Sequence, residues 1–273
     1  MKELWIRYLY SVLPFSEAGL ISGIIWGDKS GFSSFVLTKM KDLGVIHIMV
    51  VSGANLMILM NLLVEKCSFV VNRRLMIVIG LIVIWVYAFM VGLSAPIVRA
   101  LLFVSFYYIC MLLGRRFDVF RIFIFVFILM LYISTKWLFD LGFWLSVTAF
   151  YAILTNKTKN IFLQSLWISL WVTPILSMYV GKISLFSFLV NGIVVGVVEM
   201  ITIVGLLGMI LKSRYLLWLI YPLAKYIVWV IENLPGIVFQ VRFNWYILIG
   251  WYLLLIRYLI KSACSTQNRI YGT

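Results

Sequence analysis

About nine long apolar stretches recur along this chain, near residues 43–65, 75–93, 96–113, 119–134, 140–155, 161–180, 185–211, 215–232 and 245–260, separated by short polar breaks. Few folds accept that pattern. A helix crosses the hydrocarbon core of a bilayer with roughly 20 apolar residues, and in lipid every backbone N–H and C=O must be satisfied internally. The chain is 64% apolar and 12% charged over 273 residues, against about 45–50% and about 25% in a soluble domain. A soluble protein of this length has no interior large enough for that apolar surface. The expected fold is an all-α polytopic integral membrane protein with about nine transmembrane helices.

Three regions follow from the polar breaks. Residues 1–42 are expected to form interfacial and amphipathic helices, 43–261 the transmembrane domain and 262–273 a cytoplasmic tail. Met1–Trp26 is apolar but carries Lys2, Glu3, Arg7, Pro14 and Glu17, which reads as interfacial or partly re-entrant. Gly27-Asp28-Lys29-Ser30-Gly31 is a polar break. Beyond it Phe32, Phe35, Val36, Met40 and Leu43 recur with helical spacing, with Lys39, Lys41 and Asp42 on the wet side and Ser33 as N-cap.

Lys and Arg total 23 against 9 Asp and Glu, a formal charge of +14. Two readings stay open: cationic loops on the cytoplasmic side, or a polyanionic partner. The loops alternate between basic and poorly basic, which puts 66–74, 114–121, 156–160, 212–214 and the C-terminus in the cytoplasm and 27–42 outside. Lys29, Lys39 and Lys41 then lie on the side that usually lacks cations. A single histidine, His47, excludes a multi-histidine metal centre. Cys67, Cys110 and Cys264 are widely spaced and imply neither a disulfide framework nor a thiolate site. No metal and no cofactor is expected.

Ionisable groups at membrane depth cost at least about 2.5–3.5 kcal/mol each on insertion scales, so they should face water or a partner. Asp140, Trp144, Thr148, Tyr151 and Thr155 fall within about 80° of arc on a helix. That stripe is either an interhelical seam or the lining of an aqueous path. Arg99 shares a face with Phe103, Phe106 and Cys110; it snorkels from its helix end, pairs with Asp140, or touches phosphate. Asp140 alternatively caps its own helix. His47, Asn55 and Asn61 spread over about 120° if 43–65 is one continuous helix, with Ser52-Gly53 as a close-packing notch or a point of loosening. Glu199 and Lys225 fall near the middle of their segments: an ion pair or separate exposure to water accounts for them, unless 185–211 is two shorter elements.

Five of these stretches resemble, in order and approximate spacing, the membrane-embedded competence domain of the ComEC family of DNA-uptake proteins. Ile25-Trp26-Gly27-Asp28-Lys29-Ser30-Gly31-Phe32-Ser33 is similar to the family's L-L-L-G-D-R-S-G-L-S. Leu43 to Asn55 is similar to T-G-L-S-H-L-L-A-V-S-G-L-H, which includes His47, Ser52 and Gly53. Ala95-Pro96-Ile97-Val98-Arg99-Ala100 is similar to P-S-x-x-R-A, Gly114-Arg115-Arg116-Phe117-Asp118 to G-R-x-x-D, and Asp140-Leu141-Gly142-Phe143-Trp144-Leu145-Ser146 to D-x-G-F-Q-L-S. The chain departs at Asn55, where the family has a second histidine, and at Trp144, where it has glutamine. Asn55 cannot titrate near neutral pH as histidine does. The OB-fold and metallo-β-lactamase-like domains of longer relatives have no counterpart in these residues.

The resemblance implies a multi-pass protein of the cytoplasmic membrane. It also implies a channel passing single-stranded DNA during natural transformation, without enzymatic activity of its own. The implied partners are single-stranded DNA, membrane lipid, a DNA receptor, a nuclease, a cytoplasmic helicase and a second copy of the chain. Arg99 with Phe103 and Phe106, and the stripe with Trp144 and Tyr151, supply cations and aromatic faces of the kind a strand needs. Two other classes remain: a small-solute or ion transporter built on Glu199 and Lys225, and a membrane enzyme on Ser52-Gly53. For the enzyme, His47 lies roughly 140° away from Ser52 on a regular helix and no second base exists.

Overall fold

A computed structural model describes residues 2–46, 53–66, 72–114, 118–156, 158, 160–184 and 187–257. The described chain is helical apart from two three-residue strands. In order these are α1 (Lys2–Val12), α2 (Phe15–Trp26), α3 (Ser34–Asp42), α4 (Gly53–Asn61) continued by a π-helical turn (Leu62–Lys66), α5 (Arg73–Val91) and α6 (Ala95–Leu112). There follow α7 (Val119–Ile133), a 3₁₀ turn (Thr135–Phe139), α8 (Leu141–Thr155), α9 (Ile161–Val180), β1 (Lys182–Ser184), α10 (Ser187–Ile210), α11 (Arg214–Asn233), β2 (Val238–Gln240) and α12 (Trp245–Arg257). The expected all-α, membrane-like architecture is therefore present. Each of the nine apolar stretches contains a helix. Four helices, α5, α9, α10 and α11, are long and apolar enough to cross a membrane; α2, α6, α7, α8 and α12 are shorter apolar helices.

Local chemistry sets several boundaries. Ser33 caps α3, its hydroxyl accepting from the Val36 N–H at 3.3 Å, and Pro96 sits in the first turn of α6, both as expected. The first apolar stretch does not open at residue 43. Leu43 and Gly44 close α3 instead, with Gly44 left-handed (φ 72°), its N–H on Lys41 O at 3.0 Å and the Val45 N–H on Met40 O at 2.9 Å. That is a Schellman closure, sealed by fully buried Met40 and Val45. The helix of this stretch is described from Gly53. The 185–211 stretch is one 24-residue helix, not two elements.

Pro174 lies inside α9 and has no N–H to give the Leu170 carbonyl four residues earlier. Helix α12 supplies the missing donor: the Trp251 indole N–H donates to Leu170 O at 3.0 Å, and the Tyr252 hydroxyl to Trp171 O at 2.7 Å. A backbone break that lipid would not tolerate is thus repaired by a neighbouring helix.

Of the two readings expected for the N-terminal region, interfacial or partly re-entrant, the second fits its burial better. Lys2–Trp26 is two helices split at Pro14. Every residue of α2 from Glu17 to Trp26 is buried, packed against α1, α10 and α11. Twelve residues rise about 18 Å, short of the roughly 30 Å core, so α2 enters the bundle without spanning it.

At one end of the bundle α3 meets the loops flanking α10 and α11. Lys182 pairs with Asp42 at 3.6 Å, Gly236 sits against Asp42, and β1 pairs antiparallel with β2 in the register Ile183↔Phe239. These are the charge-poor breaks, grouped with the 27–42 segment. Lys39 has a task there: its ammonium donates to the Glu232 carbonyl in the last turn of α11, where a cation complements the helix dipole.

Candidate functional site

A helix that stops inside a membrane protein exposes its last carbonyls where water is scarce. Helix α2 does so at Gly23, Ile24 and Ile25, and three different elements answer. Gly27, left-handed at φ 67°, turns the chain and returns its N–H to Gly23 O at 2.9 Å. The Asn55 side-chain amide from α4 donates to Ile24 O at 3.0 Å. The Tyr87 hydroxyl from α5 donates to Ile25 O at 2.6 Å. Asn55 and Tyr87 are both buried. Sequence reasoning misses Tyr87; the available signal is a phenol between Trp85 and Phe89 near the end of an apolar helix, which needs a partner when buried.

The polar break then folds back along α2. Asp28 accepts from the Ser30 N–H at 3.0 Å, the Ser30 hydroxyl at 2.9 Å and the Ser22 hydroxyl at 3.3 Å. Burial pushes this carboxyl up, but those hydrogen bonds and the charge of Lys2 outweigh it and hold Asp28 below the usual carboxylate range. Lys29 is exposed beside it. The turn lays Gly31 on Gly19, and a Cβ on Gly31 would meet Tyr10 Oη at 2.1 Å. The glycines and Asp28 of this motif are therefore accounted for by a tight return of the backbone. A cavity of about 200 Å³ opens next to it between Phe15, Phe32, Val36, Val228 and Glu232, below the range of small-molecule sites.

From Asn55 the contacts continue. Gly53 faces α6 so closely that a Cβ would lie 2.8 Å from the Ala100 Cβ. The preceding residue, Arg99, is half-buried; its Nη2 donates to Gly142 O at 3.0 Å and its guanidinium lies 5.5 Å from the centre of the Phe143 ring. Its Nη1 is buried without a hydrogen-bond partner among the described residues. Asp140 caps α8, its carboxylate accepting from the Phe143 N–H at 3.0 Å, and it makes no ion pair with Arg99 among the described residues. Four of the five motif stretches thus join in sequence: 25–33 through Ile24 to Asn55, Gly53 to Ala100, and Arg99 to Gly142 and Phe143. His47 and Ser52 lie outside the described residues.

The C-terminal half of the stripe on α8, Tyr151 and Thr155, faces α9. The Trp167 indole N–H donates to Thr155 Oγ1 at 3.2 Å, and Tyr151 meets Trp171 edge-on at 4.9 Å. Thr148 returns its hydroxyl to Trp144 O at 2.8 Å, and the Trp144 indole N–H donates to Leu138 O at 2.7 Å. The seam reading describes Tyr151 and Thr155, whereas Trp144 packs against the buried cluster of Phe143 with Ile122, Val126 and Met130 of α7. Phe103 and Phe106 are likewise engaged, with Phe150 and Phe125, in an aromatic cluster between α6, α7 and α8.

Glu199 and Lys225 are both exposed. They form no ion pair with each other; the Lys225 ammonium lies 5.9 Å from the Tyr221 ring centre. The structure therefore gives separate exposure, not the expected alternative of a pair.

The chain matches the family described as Competence protein over residues 24–263. It belongs to this family. The match is to the ComEC membrane-embedded competence domain, and it extends past the five N-terminal motif stretches to take in α9–α12. No curated protein and no solved structure matches the chain. In this competence-family protein the matched region begins at Ile24, the residue whose carbonyl Asn55 holds.

Proposed function

We propose that this protein passes single-stranded DNA across the cytoplasmic membrane during natural transformation. The observation that carries the reading is the joined chain of motif stretches at the buried end of α2. Non-helical backbone at membrane depth persists only where protein or a cavity satisfies it, and discontinuous helices of this kind are where transporters build their sites. In this chain that feature coincides with the family motifs. Arg99 contributes an uncommitted N–H on a permanent cation, suited to a weak phosphate contact that a moving strand can leave. The path follows the motif chain rather than the α6–α8 aromatic cluster, whose rings are paired with one another. A DNA receptor, a nuclease and a cytoplasmic helicase are the partners proposed on either side.

The transporter reading on Glu199 and Lys225 lacks a built site among the described residues, because both side chains point out of the bundle. Deleting the gene and following labelled DNA tests the main reading. Surface-bound label should persist while label protected from external nuclease is lost, and a plasmid copy should restore it. Normal internalisation in the deletion strain would overturn the reading.

A further inference from the structure

The chain does not pass from α2 to α3 along a surface. Helices α10 and α11 give a scale of depth, with α3 at one end and the 211–213 turn at the other. A Cβ on Gly205 of α10 would lie 2.8 Å from Ile25 and 3.7 Å from Ile21. Gly205 precedes Ile210, the end of α10, by about 7.5 Å. Phe15 and Ser16 share a cavity with Val228 and Ile231 of α11, about 21–26 Å beyond its start at Arg214. Helix α2 therefore runs down from the α3 end, and its last turn lies about 8 Å from the other. The return retraces this descent: the Ser22 hydroxyl donates to Asp28 at 3.3 Å, and Gly31 is laid on Gly19. Asp28-Lys29-Ser30 is thus a tip at membrane depth, past the middle of a roughly 30 Å core.

Lys29 and Ser30 are exposed at this tip. Lys2 of α1 offsets the charge of Asp28, while Lys29 has no ion-pair or hydrogen-bond partner among the described residues. A free ammonium at such depth needs water. The cavity of about 200 Å³ gives water a way in, since Gly31 lines it together with Ser33, Val36 and Glu232 near the α3 end. Its acidic lining residue, Glu232, has the Lys39 ammonium on its own carbonyl, so the rim is not a barrier to an anion. The alternation of positive charge puts that end outside.

We propose that Asp28-Lys29-Ser30 is the floor of a water-filled vestibule open to the outside, and that Lys29 there binds a phosphodiester of the entering strand. The tip is fixed at its base, because Asn55 and Tyr87 hold the carbonyls of Ile24 and Ile25 just before it. Its cation is therefore held in place before a phosphate arrives. A lysine is a point charge on a flexible stem, and a single such contact is weak enough for a moving strand to leave. The inference rests on the DNA reading and adds to it the depth of the outer opening and a second cation besides Arg99.

The test uses the full chain in right-side-out membrane vesicles, in a background with Cys67→Ser, Cys110→Ser and Cys264→Ser. Ser30→Cys should react with a small impermeant maleimide but not with the same group coupled to a large polymer. Thr38→Cys, exposed on α3, should react with both. At low ionic strength, Lys29→Gln should lower the ratio of Ser30→Cys rates with an anionic and a cationic thiosulfonate about tenfold. A unit charge about 6 Å away in water changes each rate about threefold, in opposite directions. Lys29→Arg should keep the ratio. A short thymidine oligonucleotide should slow labelling of Ser30→Cys, and Lys29→Gln should lift that protection. Reaction of Ser30→Cys with the polymer reagent at the Thr38→Cys rate puts the tip on the surface and overturns the proposal. So does no reaction with either maleimide, or a ratio unmoved by Lys29→Gln. Size exclusion and the charge effect without protection by the oligonucleotide overturn the phosphodiester ligand, and the DNA reading with it, while leaving the vestibule.

Discussion

At Asn55 a side-chain amide takes a last-turn carbonyl of a helix that ends inside the protein, so its contribution is a donor, not a proton. Asn55→Leu leaves Ile24 O buried and unsatisfied, at a cost of about 1–3 kcal/mol; Asn55→His, which keeps a donor, should recover most of it. Thermal unfolding of the detergent-purified protein measures both, and equal losses would show that the amide's hydrogen bond is not what matters. Asp140 separates the same way. Asparagine caps a helix nearly as well as aspartate, so Asp140→Asn should cost a few tenths of a kcal/mol and Asp140→Ala about 1. Equal losses would mean that the charge, through Arg99, carries the residue's role. Asp28 adds a pH dependence. Its folded carboxyl titrates below its unfolded value, so its stabilising share is complete above the unfolded pKa and is lost as pH falls through the folded one. Asp28→Asn should therefore lower stability at neutral pH and flatten the acid limb of the stability profile.

The nine apolar stretches were readable because lipid-facing helices announce themselves by length and hydropathy, and Ser33 and Pro96 because capping is local. The burial of α2 was not readable. Glu17, Ser22 and the nearby Arg7 look like the polar face of an interfacial helix; the first two are enclosed because α10 and α11, almost 200 residues later, close over them. The contacts Asn55–Ile24, Tyr87–Ile25 and Arg99–Gly142 are likewise long-range, so the sequence marked which stretches matter but not that they touch. The α8 stripe was legible as a stripe, while its direction depended on α9. That direction is testable: Tyr151→Cys with Trp171→Cys should cross-link readily through a short bifunctional reagent in membranes, whereas Ile153→Cys with Trp171→Cys should not. The reverse pattern would return the stripe to an open path.

Across the whole molecule, the breaks at 181–184 and 234–244 share one end with α3, and the 211–213 turn lies at the other; the alternation of positive charge groups these segments in the same way. Cysteines at Ser30 and at Ser213, in a cysteine-free background, should react oppositely with an impermeant thiol reagent applied to intact cells: Ser30→Cys labels and Ser213→Cys does not until the cells are opened. In the proposed function the joined motif stretches form the route of DNA entry, with Arg99 as a phosphate contact on it. Nuclease-protected label, measured in a deletion strain carrying Arg99→Gln at wild-type membrane abundance, tests it most directly. Loss of one charge-assisted contact is worth about 1.5–3 kcal/mol, roughly tenfold or more in rate. Protected label should fall by at least about that factor with surface binding unchanged; entry at the wild-type rate would contradict the account.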